Sequence, residues 1–250
     1  TIDFTEEDID FAFVTSLRNQ VRSTGDDLAQ LLRNSGVDEV MTVHNHSVSV
    51  QRLFEREFNG HFFNLEPSGL YADYLVHHPI MEPRTDDPGF VLCAPDQGAT
   101  PFVVELHEKL RQRTGRMLLK SEASLLLMDK ERSGERSVDI SVRPDSPTAI
   151  EAIRGRDVVV ADDMIRTGNT IVQCCRHLKK AGAGRVMFIV THFYSSAEVK
   201  ENLNDPAIDE IVTTNTLPAI LNRDMQGRLR KKMLVLKIEK WIANMLRRHL

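Results

Sequence analysis

Residues 157–170 read Asp-Val-Val-Val-Ala-Asp-Asp-Met-Ile-Arg-Thr-Gly-Asn-Thr, an apolar run that ends in two acids and then in small residues able to open a helix. Recognition of a sugar phosphate is the chemistry this order of side chains can do. A helix start leaves backbone N–H groups without partners and carries partial positive charge, so an anion placed there gains several hydrogen bonds at once. Gly168 allows close backbone approach, and the hydroxyls of Thr167 and Thr170 add donors. Asp162 and Asp163 cannot bind a phosphate, but they can accept hydrogen bonds from sugar hydroxyls or hold a hydrated metal ion. The plainer alternative is an ordinary strand-to-helix turn with one aspartate as its cap; two adjacent acids exceed what a cap requires.

These side chains need a strand to deliver them and a helix to receive them. Residues 158–161 form a short β-branched run of the kind buried on both faces of a sheet. That places Asp162 and Asp163 at its carboxyl end, where open α/β sheets bind ligands. From Thr167 the period changes: Ile171, Cys174, Cys175 and Leu178 fall at i, i+3, i+4 and i+7, one apolar helix face. The helix therefore begins at Gly168 or Asn169.

The same alternation runs through the rest of the chain. Leu28, Leu31 and Leu32 lie at helical spacing with Gly36 as a C-cap. A strand over 37–43 then runs into His44-Asn45-His46. Residues 47–58 follow, where Val48, Val50, Leu53, Phe54 and Phe58 suit a turn or helix packed on a core. Two histidines at a strand end are either metal ligands or ordinary solvated or core-bonded imidazoles. Pro79, Pro83, Pro88 and Gly89 break the pattern and mark a domain junction. A strand over 90–94 ends in Pro95-Asp96-Gln97-Gly98-Ala99, by itself a common turn, and leads to a helix with Val103, Val104, Leu106 and Leu110 on its apolar side. Residues 125–128 form a strand that delivers 129–136 into a polar segment. Strands over 186–191 and 208–214 follow, then a last strand and an amphipathic helix within 233–250, with Ile238, Trp241, Ile242 and Leu246 inward. Such alternation implies an α/β fold with parallel sheets covered on both faces.

With 250 residues, 41% hydrophobic and 27% charged, the chain can bury a core in one large or two smaller domains. A net charge of -4 gives no support to nucleic-acid binding. Cys93, Cys174 and Cys175 cannot form a paired framework and lack a Cys-x-x-Cys spacing, which fits a reducing cytoplasm. No apolar run approaches the ~18 residues of a membrane span, and the acidic residues 1–10 are unlike a targeting signal.

The central motif resembles the ribose-phosphate loop of the type I phosphoribosyltransferases, and most closely that of the phosphoribosyl pyrophosphate (PRPP) synthetases, which is similar to Asp-Asp-Met-Ile-Asp-Thr-Gly-Gly-Thr. Arg166 stands where that family usually has an acid, and Asn169 where it often has Gly. Residues 36–46 resemble the family segment ending Asp-Leu-His, so His46 falls on a magnesium-binding histidine and His44 replaces an acid. Pro95-Asp96-Gln97-Gly98 is similar to the Ser-Pro-Asp-x-Gly-Gly turn, whose aspartate is the other magnesium contact, which Asp96 inherits. Asp129-Lys130-Glu131-Arg132 is similar to the Asp-Lys-Arg-Arg motif of the catalytic loop, and it makes Lys130 and Arg132 the catalytic cations. The turns 191–196 and 215–218 resemble the family's Thr-His-x-x-x-Ser and Asn-Thr-Ile-Pro. The likeness runs from about Leu28 to the C-terminus. The family's ATP-gripping N-terminal motifs find no counterpart, and residues 11–20 do not align with them.

The resemblance implies two phosphoribosyltransferase-like domains: 1–80 together with 233–250 as an incomplete N-terminal one, and 81–232 as the C-terminal one with the ribose-phosphate loop. It implies transfer of pyrophosphate from Mg-ATP to ribose 5-phosphate, giving PRPP and AMP, in a cytoplasmic homo-oligomer that uses Mg2+. Ribose 5-phosphate would be held by Asp162, Asp163, Arg166, Thr167, Gly168, Asn169 and Thr170, and metal by His46 and Asp96. Two alternatives stay open: a non-catalytic regulatory or ligand-binding paralogue, and a phosphoribosyltransferase that consumes PRPP.

Overall fold

The computed structural model describes residues 21–79, 89–114, 125–132 and 138–249; residues 1–20, with the acidic opening and the segment 11–20, lie outside them. The described residues divide into two compact units, one of those up to residue 67 with 244–249 and one of those within 68–243.

The first unit contains α1 (Val21–Asn34), β1 (Val40–Val43), α2 (Val48–Glu57) and β2 (Phe62–Leu65). Helix α1 stops where the sequence predicts. Gly36 takes φ 85°, which only glycine adopts without cost. Its N–H donates to Arg33 O at 3.0 Å and that of Val37 to Leu32 O at 3.1 Å, the two bonds of a Schellman turn. Helix α2 starts at Ser47, whose hydroxyl accepts from the Val50 N–H. Strands β1 and β2 pair in parallel, Val40 opposite Phe62, so α2 is the crossover between them. Ala29, Phe54, Phe58 and Phe62 form the core, with Leu28, Leu32 and Leu53 packed on it. Leu31 and Val48, expected on inner faces, are exposed, because Ala29 and Leu32 set the stripe of α1 and Phe54 and Phe58 that of α2.

The second unit holds α3 (Ser68–Val76), β3 (Val91–Ala94), α4 (Thr100–Thr114), β4 (Leu125–Arg132), β5 (Val138–Val142) and β6 (Val158–Ile165). After these come α5 (Asn169–Lys180), β7 (Val186–Phe193), α6 (Ala197–Leu203), β8 (Glu210–Thr214), α7 (Arg223–Gln226), β9 (Met233–Leu236) and the start of α8 (Glu239–His249). Seven strands form one sheet in the order β5-β4-β3-β6-β7-β8-β9. Every neighbouring pair is parallel except β4 with β5. Alternate residues feed two cores. Val91, Cys93, Val158, Val160 and Phe188 face α5 and α6. Leu92, Ala94, Val159, Ala161 and Met187 face α3 and α4. Burial on both faces is why these strands read as continuous apolar runs.

Several expectations change here. The units divide at Pro67 and Ser68 rather than near 79–89, because Tyr71, Ala72 and Leu75 of α3 are buried against α4 in the core of the large sheet. Strand β9, grouped by the resemblance with the first domain, hydrogen-bonds to β8 instead, from Ile211 opposite Met233 to Thr214 opposite Leu236. The polar segment after Met128 is not a loop at its start: β4 continues to Arg132 and pairs with β5, a strand that no apolar run announces. Val104 and Leu246 are exposed on their helices.

At the amino ends of β6 and β7 a buried acid ties the connections down. Asp157 accepts from the Arg185 N–H at 2.8 Å and from Arg185 Nε and Nη2 at 2.9 and 2.7 Å. The three cysteines are free and buried. Among the described residues no helix is long and apolar enough to cross a membrane.

Candidate functional site: the acids and anion loop at the carboxyl ends of β3 and β6

Strand β6 does not end before its acids. It continues through Asp162 and Asp163 to Ile165, held by β7 as far as Ile165 opposite Phe193. On its other side β3 stops at Ala94, so the two acids stand where β6 has lost its β3 neighbour. The turn after β3 brings Asp96 to the same place. Burial, reinforced by the charges of Asp163 and Asp96, pushes the Asp162 carboxyl well above the ordinary carboxylate range. The Asp163 N–H donates to Asp162 Oδ1 at 2.9 Å. Asp96 also has a structural duty, since its Oδ1 accepts from the Ala99 N–H at 3.2 Å at the start of α4.

Past Ile165 the chain enters the loop, where Arg166, Thr167 and Asn169 are exposed and Thr170 half-buried. Gly168 takes φ 84° and caps α5 without a side chain. The first helical bond runs from Val172 N to Gly168 O at 2.9 Å. The preceding N–H groups thus lack helical acceptors, which suits them to an anion.

The structure brings Lys130 to this loop. Its Nζ donates to Thr170 Oγ1 at 2.7 Å, across 40 positions of sequence. The hairpin of β4 and β5 makes this contact possible, because Ile140 and Val142 of β5 pack on the core that buries α5. The Arg132 side chain lies outside the described residues, although its backbone pairs with Val138. Asn202 also meets the loop and was not anticipated. Its Nδ2 lies 2.7 Å from Thr167 O and 3.0 Å from Asn169 Oδ1. Nothing local signals it, since α6 reaches the loop only through the packed fold.

The turns after β7 and β8 are cross-linked. Thr214 Oγ1 and Thr216 Oγ1 donate to Thr191 O at 2.8 and 3.0 Å. Thr216 Oγ1 also lies 3.0 Å from His192 Nδ1, which ties the buried imidazole to both turns. Asn215 receives the Ile238 N–H and donates to Glu239, which anchors the start of α8.

His46 belongs to the first unit, half-buried in the turn between β1 and α2. Beside it His44 is buried, has φ 50° and points Nε2 toward Glu66 Oε2 at 3.9 Å. Among the described residues no three His, Cys, Asp or Glu side chains form a metal cage. Asp96, Asp162, Asp163, Lys130 and residues 166–170 thus come together in the second unit.

The family model of the phosphoribosyl transferase domain matches residues 80–219. The chain belongs to this family. It is similar to the ribose-phosphate pyrophosphokinase of Shewanella oneidensis, 28% identical over 191 residues that cover 76% of this chain and 52% of the relative. It is also similar to ribose-phosphate pyrophosphokinase 4 of Saccharomyces cerevisiae, 29% identical over 195 residues, 78% of this chain and 52% of the relative. The chain thus spans about half the length of these curated relatives. A crystal structure of phosphoribosylpyrophosphate synthetase from Mycobacterium smegmatis superposes with TM-score 0.67 at 24% identity, covering 92% of this chain and 64% of that one. That likeness carries the fold: parallel sheets flanked by helices. The phosphoribosyl transferase domain and its synthetase-like relatives agree with the resemblance read from the motifs.

Proposed function

We propose that the chain is a ribose-phosphate pyrophosphokinase, transferring pyrophosphate from Mg-ATP to ribose 5-phosphate to give PRPP and AMP. The observation that carries this reading is the 2.7 Å contact between Lys130 Nζ and Thr170 Oγ1, which sets the expected catalytic cation beside the anion loop. The Lys130 segment and the turn 215–218 follow the synthetase pattern rather than that of a PRPP-consuming phosphoribosyltransferase. Residues 166–170 would hold the 5-phosphate through helix N–H groups and hydroxyls, while Asp162 and Asp163 orient the ribose hydroxyls. The anomeric hydroxyl would then attack the β-phosphorus with AMP leaving, and Lys130 and Arg132 would stabilise charge that grows on the transferring phosphates. Placement and charge compensation suffice, and no side chain becomes a covalent nucleophile.

The donor set fits magnesium. Hard cations take carboxylate oxygens and usually arrive with substrate phosphates, so a complete protein cage is not required. Asp96, with the repelling acids Asp162 and Asp163 beside it, offers such oxygens in the second unit, and His46 is the candidate in the first. When bound, the ion would neutralise phosphate charge. By the same reading the working form is a cytoplasmic homo-oligomer.

The test is AMP release from ATP and magnesium, with and without ribose 5-phosphate, for the parent chain and Lys130→Ala. The reading expects sugar-dependent AMP and a loss of roughly 3 to 4 kcal/mol of transition-state stabilisation in the variant, about 10²- to 10³-fold in kcat. A folded parent chain that makes no AMP but binds ribose 5-phosphate would instead support the regulatory paralogue, which the departures at His44 and Arg166 favour.

A further inference from the structure

Asn202 touches the loop yet has no part in the reading above. It lies near the end of α6, half-buried, and its side-chain nitrogen is shared between Thr167 O and Asn169 Oδ1. A carbonyl oxygen only accepts, so the atom facing Thr167 is the amide nitrogen, and its two protons go one to each oxygen.

Two consequences follow for the anion loop. Across a planar trans peptide the carbonyl and the next N–H point in opposite directions, so pulling Thr167 O toward α6 turns the Gly168 N–H the other way. The left-handed backbone of Gly168 is compatible with this, and a Cβ there would already touch Asn202 Cβ at 3.4 Å. Asn169 is oriented as well. With its oxygen taken by Asn202, its own NH2 is turned away from α6 at the first position of α5. Among the described residues nothing accepts from that NH2. A glycine at this position, as in the family motif, would offer only a backbone N–H.

We propose that Asn202 is a positioning residue of the phosphate loop, and that through it the Asn169 side-chain amide becomes a specificity-determining donor to the sugar phosphate. This rests on the proposed function, in which residues 166–170 bind the phosphate of ribose 5-phosphate. The departure at Asn169 is then a gain of one N–H donor, which depends on a partner 33 positions away. The added donor favours a phosphomonoester over an uncharged sugar, because hydrogen bonds to a charged acceptor are the stronger ones.

The experiment is titration calorimetry of ribose 5-phosphate, with inorganic phosphate and uncharged ribose as controls, on the parent, Asn169→Gly, Asn202→Ala and the double variant. Thermal melts establish that each is folded. Each single change is expected to weaken ribose 5-phosphate about tenfold, the equivalent of one charge-assisted hydrogen bond. The double variant is expected to fall well short of the ~100-fold product, because Asn202 acts partly through Asn169. A purely structural tie between α5 and α6 would shift the melts and leave affinity unchanged. Parental affinity in both folded single variants, or strictly multiplicative losses, would overturn the proposal while the phosphate loop stands. A parent that binds neither ribose 5-phosphate nor inorganic phosphate would overturn the loop assignment and the proposal together.

Discussion

Gly168→Ala separates the backbone cost of the loop from its function. Gly168 has φ 84°, and a Cβ built there meets Asn202 Cβ and Ile165 Cδ1 at 3.4 Å and Leu203 Cδ2 at 3.5 Å. Those are ordinary contact distances, so steric overlap adds little. What remains is the left-handed conformation, which costs an L-residue roughly 1 to 2 kcal/mol. In a unit of this size that corresponds to a fall in Tm of about 2 to 8 °C. Gly155 is the matched control, with φ 75° and no atom within 4 Å of its Cβ. It precedes β6 at the end of the strand away from the acids. Gly155→Ala should therefore lose similar stability in calorimetric melts and keep parental affinity for ribose 5-phosphate. Gly168→Ala should lose both, because any relaxation of φ turns the N–H groups proposed to face the anion. Parental ribose 5-phosphate affinity in Gly168→Ala, at the expected loss of stability, would refute the claim that this backbone geometry holds the phosphate. A loss in Gly168→Ala far above that of Gly155→Ala would refute the steric part of the reasoning.

Two further predictions follow from charge. The Asp162 carboxyl is held above the ordinary carboxylate range, so the folded state binds its proton more tightly than the unfolded chain does. The corresponding stability is fully present below the unfolded value and is lost as pH rises through the folded one. Asp162→Asn escapes that loss. Its melting temperature in EDTA should pull ahead of the parent as pH rises from acid toward neutrality, while sugar binding falls; a gap that does not change with pH would contradict the electrostatic cause. At the opposite end of the strand, Asp157 is 5% exposed and Arg185 42%. Because the guanidinium stays partly in water, Asp157→Ala should cost about 2 to 3 kcal/mol rather than the more of a fully buried pair. Urea unfolding measures this, and an effect under about 0.5 kcal/mol, the usual range for a surface position, would rule out a buried anchor.

Much of the fold was legible because its signals are local. A β-branched run, a change of period at Thr167 and a glycine after Asn34 each act over a few residues, through backbone conformation and one apolar face. The start of β6, helix α5 and the stop of α1 accordingly lie where the sequence implies, whereas β6 runs on through its acids to Ile165 because β7 pairs with it that far. Asp162, Asp163 and residues 166–170 could be proposed as one site for the same reason, since one contiguous segment supplies both acids and loop.

The tertiary structure decided the rest. Leu31, Val104 and Leu246 have apolar side chains at helical spacing, but only the position of the neighbouring elements determines which part of a helix surface loses water. Strand β5 has a weak apolar pattern and is made by its pairing with β4. The edge position of β9 follows from hydrogen bonds to β8, which its own four residues do not encode. Lys130 meets Thr170 across 40 positions and Asn202 meets Thr167 across 35. Such contacts depend on how an entire sheet buries its two faces, and that is a property of the whole packed unit rather than of any stretch of sequence.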